Sequence, residues 1–222
     1  MSGSFIASPV QRVAVLGAGH VGPVIARMAL DAGFEVAIAA SGSPENLELI
    51  TQVVMPGVRA RWAADAVATA DMVVLAIPLH RFPALDPRLL AGKLVVDAMN
   101  YWAPADGVVP MFQDQELSSS EIVQRRLTLS TVIKALNQIA YQNREDGRRP
   151  AGSPNRHAIG VAGDDSSAAK VVGEVIDRIG YDPILLASLS AGRVLQPGGP
   201  VFGAVLDRSE FERAIHTTAV QA

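Results

Sequence analysis

Val13-Ala-Val-Leu-Gly-Ala-Gly-His-Val-Gly22 decides the fold. Four apolar residues run into Gly17-x-Gly19-x-x-Gly22, and a helical pattern follows from His20 to about Ala32, stopped by Gly33. A buried strand that turns on glycines into a helix is the setting in which this spacing carries chemistry. Gly17 permits the tight turn, Gly19 lets the backbone approach a pyrophosphate with no side chain between, and Gly22 lets the helix pack close to the strand. The helix start then offers N–H groups and a partial positive charge to the anion.

Outward from this motif the same alternation repeats. Glu35 to Ala40 reads as a second strand and Pro44 to Val54 as a second helix. Asp71-Met-Val-Val-Leu-Ala-Ile77 and Lys93-Leu-Val-Val-Asp97 supply two further strands. None of these runs alternates with period two, which suits strands covered on both faces by helices. Beyond Asn100 the rhythm loosens. Ser118-x-x-Glu121 predicts a capping box opening a short helix, Thr131 to Leu136 and His157 to Val161 predict strands, Asp164 to Gly180 a helix, and Pro183 to Leu186 one more strand. The expected fold is α/β: a doubly wound, mostly parallel sheet of the Rossmann-like dinucleotide-binding kind. A single domain is expected over 1–222, with 12–100 as dinucleotide-binding core, 101–206 as the second half of the sheet with acceptor-site elements, and 207–222 as a short C-terminal helix.

Composition excludes several function classes. The 222 residues are 49% hydrophobic and 18% charged, with net charge −3 and no dense run of Lys or Arg, so nucleic acid is not an expected partner. The absence of cysteine removes thiolate nucleophiles, disulfides and thiolate metal sites. No apolar stretch reaches the ~18–20 residues of a membrane helix, and residues 1–10 lack a signal-peptide pattern, so a cytoplasmic protein without a membrane partner is expected.

The second strand ends Ala39-Ala-Ser-Gly-Ser-Pro44, with no acid before Glu45. NAD sites usually place Asp or Glu here for the ribose hydroxyls. Ser41, Gly42 and Ser43 instead direct hydroxyls and a helix start, with Ser43 as N-cap and Pro44 at the first helical position, toward where a 2′-phosphate would lie. NADP(H) is therefore expected, with NAD(H) not excluded. Arg59 either reaches this point from the next strand or is a solvated surface residue. Acid–base groups are sparse. Of the three lysines, Lys93 and Lys134 fall at strand positions and Lys170 on a helix surface; Tyr141 is followed at the fourth residue by Glu145, so a Tyr-x-x-x-Lys pair is absent. No histidine has a partner at metal-ligand spacing, and no metal is expected. His80 follows the fourth strand, where it either lines a nicotinamide pocket or makes local hydrogen bonds; His20 lies inside the glycine turn. Such poverty suits hydride transfer between two heterocycles, where the protein supplies positioning and the cofactors the chemistry.

Five ordered motifs carry a resemblance: Val15-Leu-Gly-Ala-Gly-His-Val-Gly22, Leu75-Ala-Ile-Pro78, Val132-Ile-Lys-Ala-Leu-Asn137, Val161-Ala-Gly-Asp-Asp165 and Leu189-Ser-Ala-Gly-Arg193. Over about residues 12–203 the chain resembles the deazaflavin-dependent NADP oxidoreductases (coenzyme F420:NADPH oxidoreductase). The resemblance implies that Gly17, Ala18, Gly19, His20, Val21 and Gly22 hold the pyrophosphate, that Ser41, Gly42 and Ser43 face the adenosine ribose, and that Ile77, Pro78, His80, Met99 and Asn100 border the nicotinamide. Asn137, Gln138, Ile139 and Arg193 would meet a deazaflavin F420 or flavin-like second substrate. With no dedicated acid or base, His80 and Asn137 are the only catalytic candidates. The chain departs from the family in carrying Gly42 where members carry Arg, Asn137 where they carry His, a C-terminal helix reduced to about Ser209–Val220 with a capping box at Ser209-x-x-Glu212, and an Arg-rich stretch over 142–156. That stretch, with Arg144, Arg148, Arg149 and Arg156, is either a mobile lid attracting an anionic tail or a solvated loop.

The leading expectation is an NADP(H)-dependent oxidoreductase passing a hydride to a deazaflavin or flavin-like acceptor. A reductase of a small imine, ketone or quinone, and a non-catalytic dinucleotide-binding redox sensor, stand as alternatives. A homodimer is expected, since the acceptor pocket of one small domain would be open on one side.

Overall fold

Strands form where the apolar runs lie, because both faces of each run are covered. In the computed structural model, which describes residues 9–114, 116–138 and 147–219, the elements in order are β1 (Arg12–Leu16), α1 (Val21–Asp31), β2 (Glu35–Ala39), α2 (Glu45–Val54), β3 (Arg59–Ala60), α3 (Ala63–Thr69), β4 (Met72–Leu75), β5 (Leu94–Asp97), α4 (Ala103–Asp106), α5 (Ser119–Arg126), β6 (Thr131–Lys134), β7 (Ala158–Ala162), α6 (Ser166–Arg178), β8 (Asp182–Leu186) and α7 (Arg208–Ala219). Short 3-10 turns over Leu79–Ala84, Pro87–Leu90, Pro110–Phe112 and Ser190–Leu195 join them.

One eight-stranded sheet in the order β3-β2-β1-β4-β5-β6-β7-β8 unites the chain. The first six strands are mutually parallel, β7 meets β6 antiparallel, and β8 runs parallel to β7. A parallel neighbour requires a crossover. No helix occurs between β6 and β7 among the described residues, and the chain returns antiparallel.

Each central strand divides its residues between two cores. Val13 and Val15, Leu94 and Val96, and Ile133 face a layer made with α1 and α6; Ala14 and Leu16, Val95, and Val132 face a layer made with α3 and α5. A pleated strand alternates its side chains, but with both faces dry the alternation leaves no polar positions, which is why the sequence shows unbroken apolar runs. Each fully buried Val, Leu or Ile contributes roughly 1.5–3 kcal/mol. A third cluster seats Phe211 of α7 on Ala158, Ala162, Ile184 and Leu195.

The helix ends follow sequence chemistry with two adjustments. Ser118 accepts from the Glu121 amide while the Glu121 carboxylate accepts from the Ser118 amide, a complete capping box. Asp165 caps α6. Gly33 ends α1 at φ +81°, and there Arg178, from the last turn of α6, donates to the carbonyls of Ala32 (2.8 Å) and Gly33 (3.0 Å) while its guanidinium stacks 4.0 Å from the Phe34 ring centroid. At α7 the expected box at Ser209 and Glu212 is displaced: Asp207 accepts from the Glu210 amide and Glu210 from the Asp207 amide, so the cap lies two residues earlier. The strand expected over Thr131–Leu136 ends at Lys134, since Leu136 turns to φ +61°.

Candidate active site

The glycine turn sits where the strand order reverses. From β1 the chain builds outward to β2 and β3 on one side and to β4 and β5 on the other, leaving a crevice at the carboxyl ends of β1 and β4. Gly17 (φ +119°) donates to the Ala39 carbonyl at 2.8 Å, and a Cβ there would collide with the Ala76 carbonyl. A Cβ on Gly22 would collide with the Gly17 carbonyl. Around Gly19 nothing lies within 4 Å of a Cβ position. Two glycines are thus demanded by packing, and the middle one opens on space. The start of α1 receives no side-chain cap at His20 and carries no acid in its first turn. An uncapped helix start facing a gap fits an anionic group.

Ser41 and Gly42 are exposed after β2. Pro44 is already helical (φ −55°, ψ −33°), and Ser43 Oγ accepts from the Glu45 amide at 3.4 Å. Arg59 does not reach this point. It pairs with Glu35 at 2.6 Å, at the opposite end of β2.

Leaving β4, Ile77 is half-buried, and Pro78 and His80 are exposed. His80 Nδ1 meets Asp106 Oδ1 at 3.3 Å, and Asp106 Oδ2 accepts from the Trp102 amide at 2.9 Å. His80 thus bonds within the chain, but to Asp106, 26 positions away, and not to the local partner expected at a helix start.

The loop leaving β5 is pinned from below and from the side. Lys134, at the end of β6, is fully buried; its Nζ donates to the Met99 carbonyl and approaches Asp97 Oδ2 at 3.4 Å. Burial pushes its ammonium below the ordinary lysine range, with Asp97 opposing. Asp97 also accepts from Ser120 Oγ (2.6 Å) and the Met99 amide (3.0 Å). Asn100 donates to the Asn137 carbonyl at 3.0 Å and accepts from Asn137 Nδ2 at 2.8 Å, and that Nδ2 also reaches the Leu195 carbonyl.

Of the residues expected to meet a second substrate, Asn137 and Gln138 are buried. Gln138 spends both ends of its amide on β7: Nε2 donates to the Ala158 carbonyl and Oε1 accepts from the Gly160 amide. Its side chain braces a strand and is not presented to the crevice. Ile139 lies outside the described residues. Arg193 is exposed on the Ser190–Leu195 turn and donates to the Glu116 carbonyl. It borders a cavity of about 630 Å³ whose wall includes Tyr101, Phe112, Ser119, Ile122 and Gln196. Sequence reasoning missed the cavity, Asp106 and the Asp97–Lys134 pair. A charged residue inside each of two apolar runs was the available signal, because buried charges are paired; the register that sets Asp97 beside Lys134 was not legible.

Of the stretch 142–156, the described part from 147 onward does not fit the lid reading, because Arg148 and Arg156 are committed to the fold. Arg148 pairs with Asp31 at 3.0 Å and donates to the Ile179 carbonyl, the Arg149 amide donates to the Gly180 carbonyl, and buried Arg156 holds Asp177 and Asp182. Asp31 ends the helix whose start forms the glycine turn, roughly 15 Å away at 1.5 Å per residue. Arg144 and Tyr141 lie outside the described residues. Among the described residues no helix is long and apolar enough to cross a membrane, and no cluster of three His, Asp or Glu could hold a metal.

Comparison with known proteins places this geometry. Residues 12–101 match the family of coenzyme F420-dependent NADP oxidoreductases. A solved structure from Arthrobacter sp. FB24, named as a proposed F420-dependent NADP-reductase, is 28% identical, with TM-score 0.71, over 89% of this chain and 100% of its own. Protein SMa0349 of Sinorhizobium meliloti is 27% identical, with TM-score 0.75, over 89% of this chain and 96% of its own. An imine reductase from Pseudomonas sp., 19% identical over 95% of this chain and 63% of its own (TM-score 0.55), shares the fold. No curated protein matches.

Proposed function

We propose that the protein is an NADP(H)-dependent oxidoreductase that passes a hydride between the nicotinamide and a deazaflavin or flavin-like acceptor. The observation that carries this reading is the uncapped start of α1 above the open position at Gly19, with Gly17 and Gly22 locked beneath it. Those residues fit a pyrophosphate, Ser41, Gly42 and Ser43 would meet the adenosine ribose, and Ile77, Pro78, His80, Met99 and Asn100 would border the nicotinamide. When bound, the nicotinamide supplies the hydride. The chain's own part is to fix the ring through the β4 and β5 loops, the second of which Lys134 and Asn137 hold in place. Sparse acid–base groups and the match of residues 12–101 to an F420-dependent family support the heterocyclic acceptor.

The test is NADPH oxidation with a panel of deazaflavins, flavins and quinones, beside cofactor binding measured by titration. Oxidation by a deazaflavin or flavin is expected; nucleotide binding without turnover by any acceptor would favour the sensor. One observation favours the second reading, reduction of a small ketone or imine. Asp106 is placed to accept from His80 Nδ1–H, which would leave Nε2 as the proton-exchanging nitrogen on the β4 loop, a donor only in the imidazolium form. Turnover of cyclohexanone or a cyclic imine, lost on His80→Gln, would establish it. A cytoplasmic homodimer belongs to the same proposal. The exposed Trp102 and Val108 beside the β5 loop support an apolar contact between copies, and a monomer by gel filtration at working concentration would refute it.

A further inference from the structure

Two exposed side chains at the carboxyl edge of the sheet have no task in the fold. Arg61 and Trp62 occupy the turn between β3 and α3. Arg61 is exposed and makes no ion pair or side-chain hydrogen bond among the described residues. A groove of about 500 Å³ beside β3 shows the contrast, because three arginines border it. Arg12 is committed to Asp71 and Arg59 to Glu35, which leaves Arg61. Trp62 is 54% exposed, and its ring meets no other ring among the described residues.

The strand register sets this pair beside the glycine turn. Ile38 of β2 stands opposite Ala60 of β3, and the Arg61 amide donates to the Ile38 carbonyl at 3.0 Å. Arg61 is therefore level with Ala39, whose carbonyl accepts from the Gly17 amide on the other side at 2.8 Å. Gly17, Ala39 and Arg61 form one row across β1, β2 and β3, about 10 Å from end to end at two strand spacings. Between its ends the chain leaves β2 toward Ser41. The start of α2 does not by itself favour a phosphate there, because Glu45 and Glu48 occupy its first turn. Gly42 brings no side chain, and a Cβ on it would lie 3.3 Å from Asn46 Nδ2. The counter-charge has to come from a neighbouring element, and the forked N–H donors of a guanidinium match phosphate oxygens. The indole next to it offers a purine a flat apolar face.

We propose that Arg61 and Trp62 form the adenosine end of the nucleotide site, Arg61 pairing with the 2′-phosphate and Trp62 stacking on the adenine. The inference rests on the NADP(H) reading above and deepens it, by assigning the choice of NADP(H) over NAD(H) to the exit of β3. The two side chains divide the work. Arg61 discriminates, because only NADP(H) carries a group for it. Trp62 contributes to the affinity of both nucleotides alike.

Calorimetric titration of NADP+ and of NAD+ into the full chain separates these roles. Arg61→Ala is expected to raise the NADP+ Kd about tenfold or more and to leave that of NAD+ within about twofold. Arg61→Lys, which keeps the charge and loses the fork, should fall between parent and alanine. Arg59→Ala, two positions earlier, should leave both affinities within about twofold. Trp62→Ala should weaken both nucleotides about fivefold or more, and Trp62→Phe less. In Trp102→Phe, Trp62 is the remaining tryptophan of the two in the chain, and saturating NADP+ should quench its fluorescence. Thermal melts identify any variant that fails to fold, and the quenching measurement leaves both proposed residues unaltered. Unchanged NADP+ affinity in Arg61→Ala, or equal weakening of both nucleotides by it, overturns the role of Arg61; absence of quenching overturns that of Trp62. A parent that binds NADP+ while these variants show no response sinks this proposal alone, whereas a parent that binds neither nucleotide sinks the redox reading with it.

Discussion

The two sides of the β5 loop are built on opposite principles. On the nucleotide side the backbone itself makes the site: three glycines, one helix start, and short-range constraints between residues that are close in sequence. On the cavity side the walls are assembled from segments as distant as Tyr101, Ser119 and Gln196, and held by long-range side-chain hydrogen bonds. The first kind of site tolerates almost no change in its framework and is nearly indifferent to its side chains. In the second, the framework is bought with buried polar networks, and its lining is free to differ.

The largest effects should separate framework from ligand contact on the nucleotide side. Gly22→Ala and Gly17→Ala each force a methyl into a backbone carbonyl, and a loss of about 3 kcal/mol or more in denaturant melts is expected. Gly19→Ala should fold normally, since its methyl meets nothing, yet weaken NADP(H) roughly tenfold or more by titration. If all three alanines behaved alike, the distinction between packing and contact glycines would fail.

Next in size is the network under the β5 loop. Lys134→Met leaves the Asp97 carboxylate buried without its cation, and about 3–5 kcal/mol of stability should be lost. Adding Asp97→Asn should restore more than half of that loss, because the uncompensated charge is then gone. A melt that shows no recovery would mean that the pair acts through packing alone.

Arg178→Ala tests the tie between the end of α1 and the end of α6, away from both sides. It removes two carbonyl hydrogen bonds and the Phe34 stacking at the end of α1, with an expected loss of about 1–2 kcal/mol by the same melts. The smallest effect concerns Asp71, whose carboxyl the Arg12 guanidinium holds below the usual carboxylate range. A lowered folded-state value means that this stability is fully present above the ordinary aspartate pKa and is lost as pH falls from there through the lowered folded value. Arg12 is half exposed, so the effect should stay below about 1 kcal/mol. Asp71→Asn should flatten the stability profile between about pH 5 and 3 relative to the parent.

What was legible in the sequence follows the same division. Val13–Gly22 announced strand, turn and helix because every constraint there is local, and Ser118-x-x-Glu121 announced a helix start for the same reason. Lys134 looked like an ordinary strand residue, because its partner is 37 positions away and only the β5–β6 register joins them. Gln138 resembled a site residue, yet its amide is consumed by Ala158 and Gly160, neighbours that only the antiparallel return of β7 supplies. Arg148 and Arg156 looked available for an anionic ligand because Asp31, Asp177 and Asp182 are remote in sequence.

The doubly anchored segment Met99–Tyr101 behaves as a fixed wall of the crevice that the nicotinamide would enter. Since Lys134 grips it underneath and Asn137 clasps its flank, the gap between facing rings would be dictated by the polypeptide and not negotiated by whichever molecules enter. Selection would then act on thickness: slabs one atom deep would come within reach of each other, and puckered or bulky guests would be stranded at the wrong spacing however well their edges were recognised.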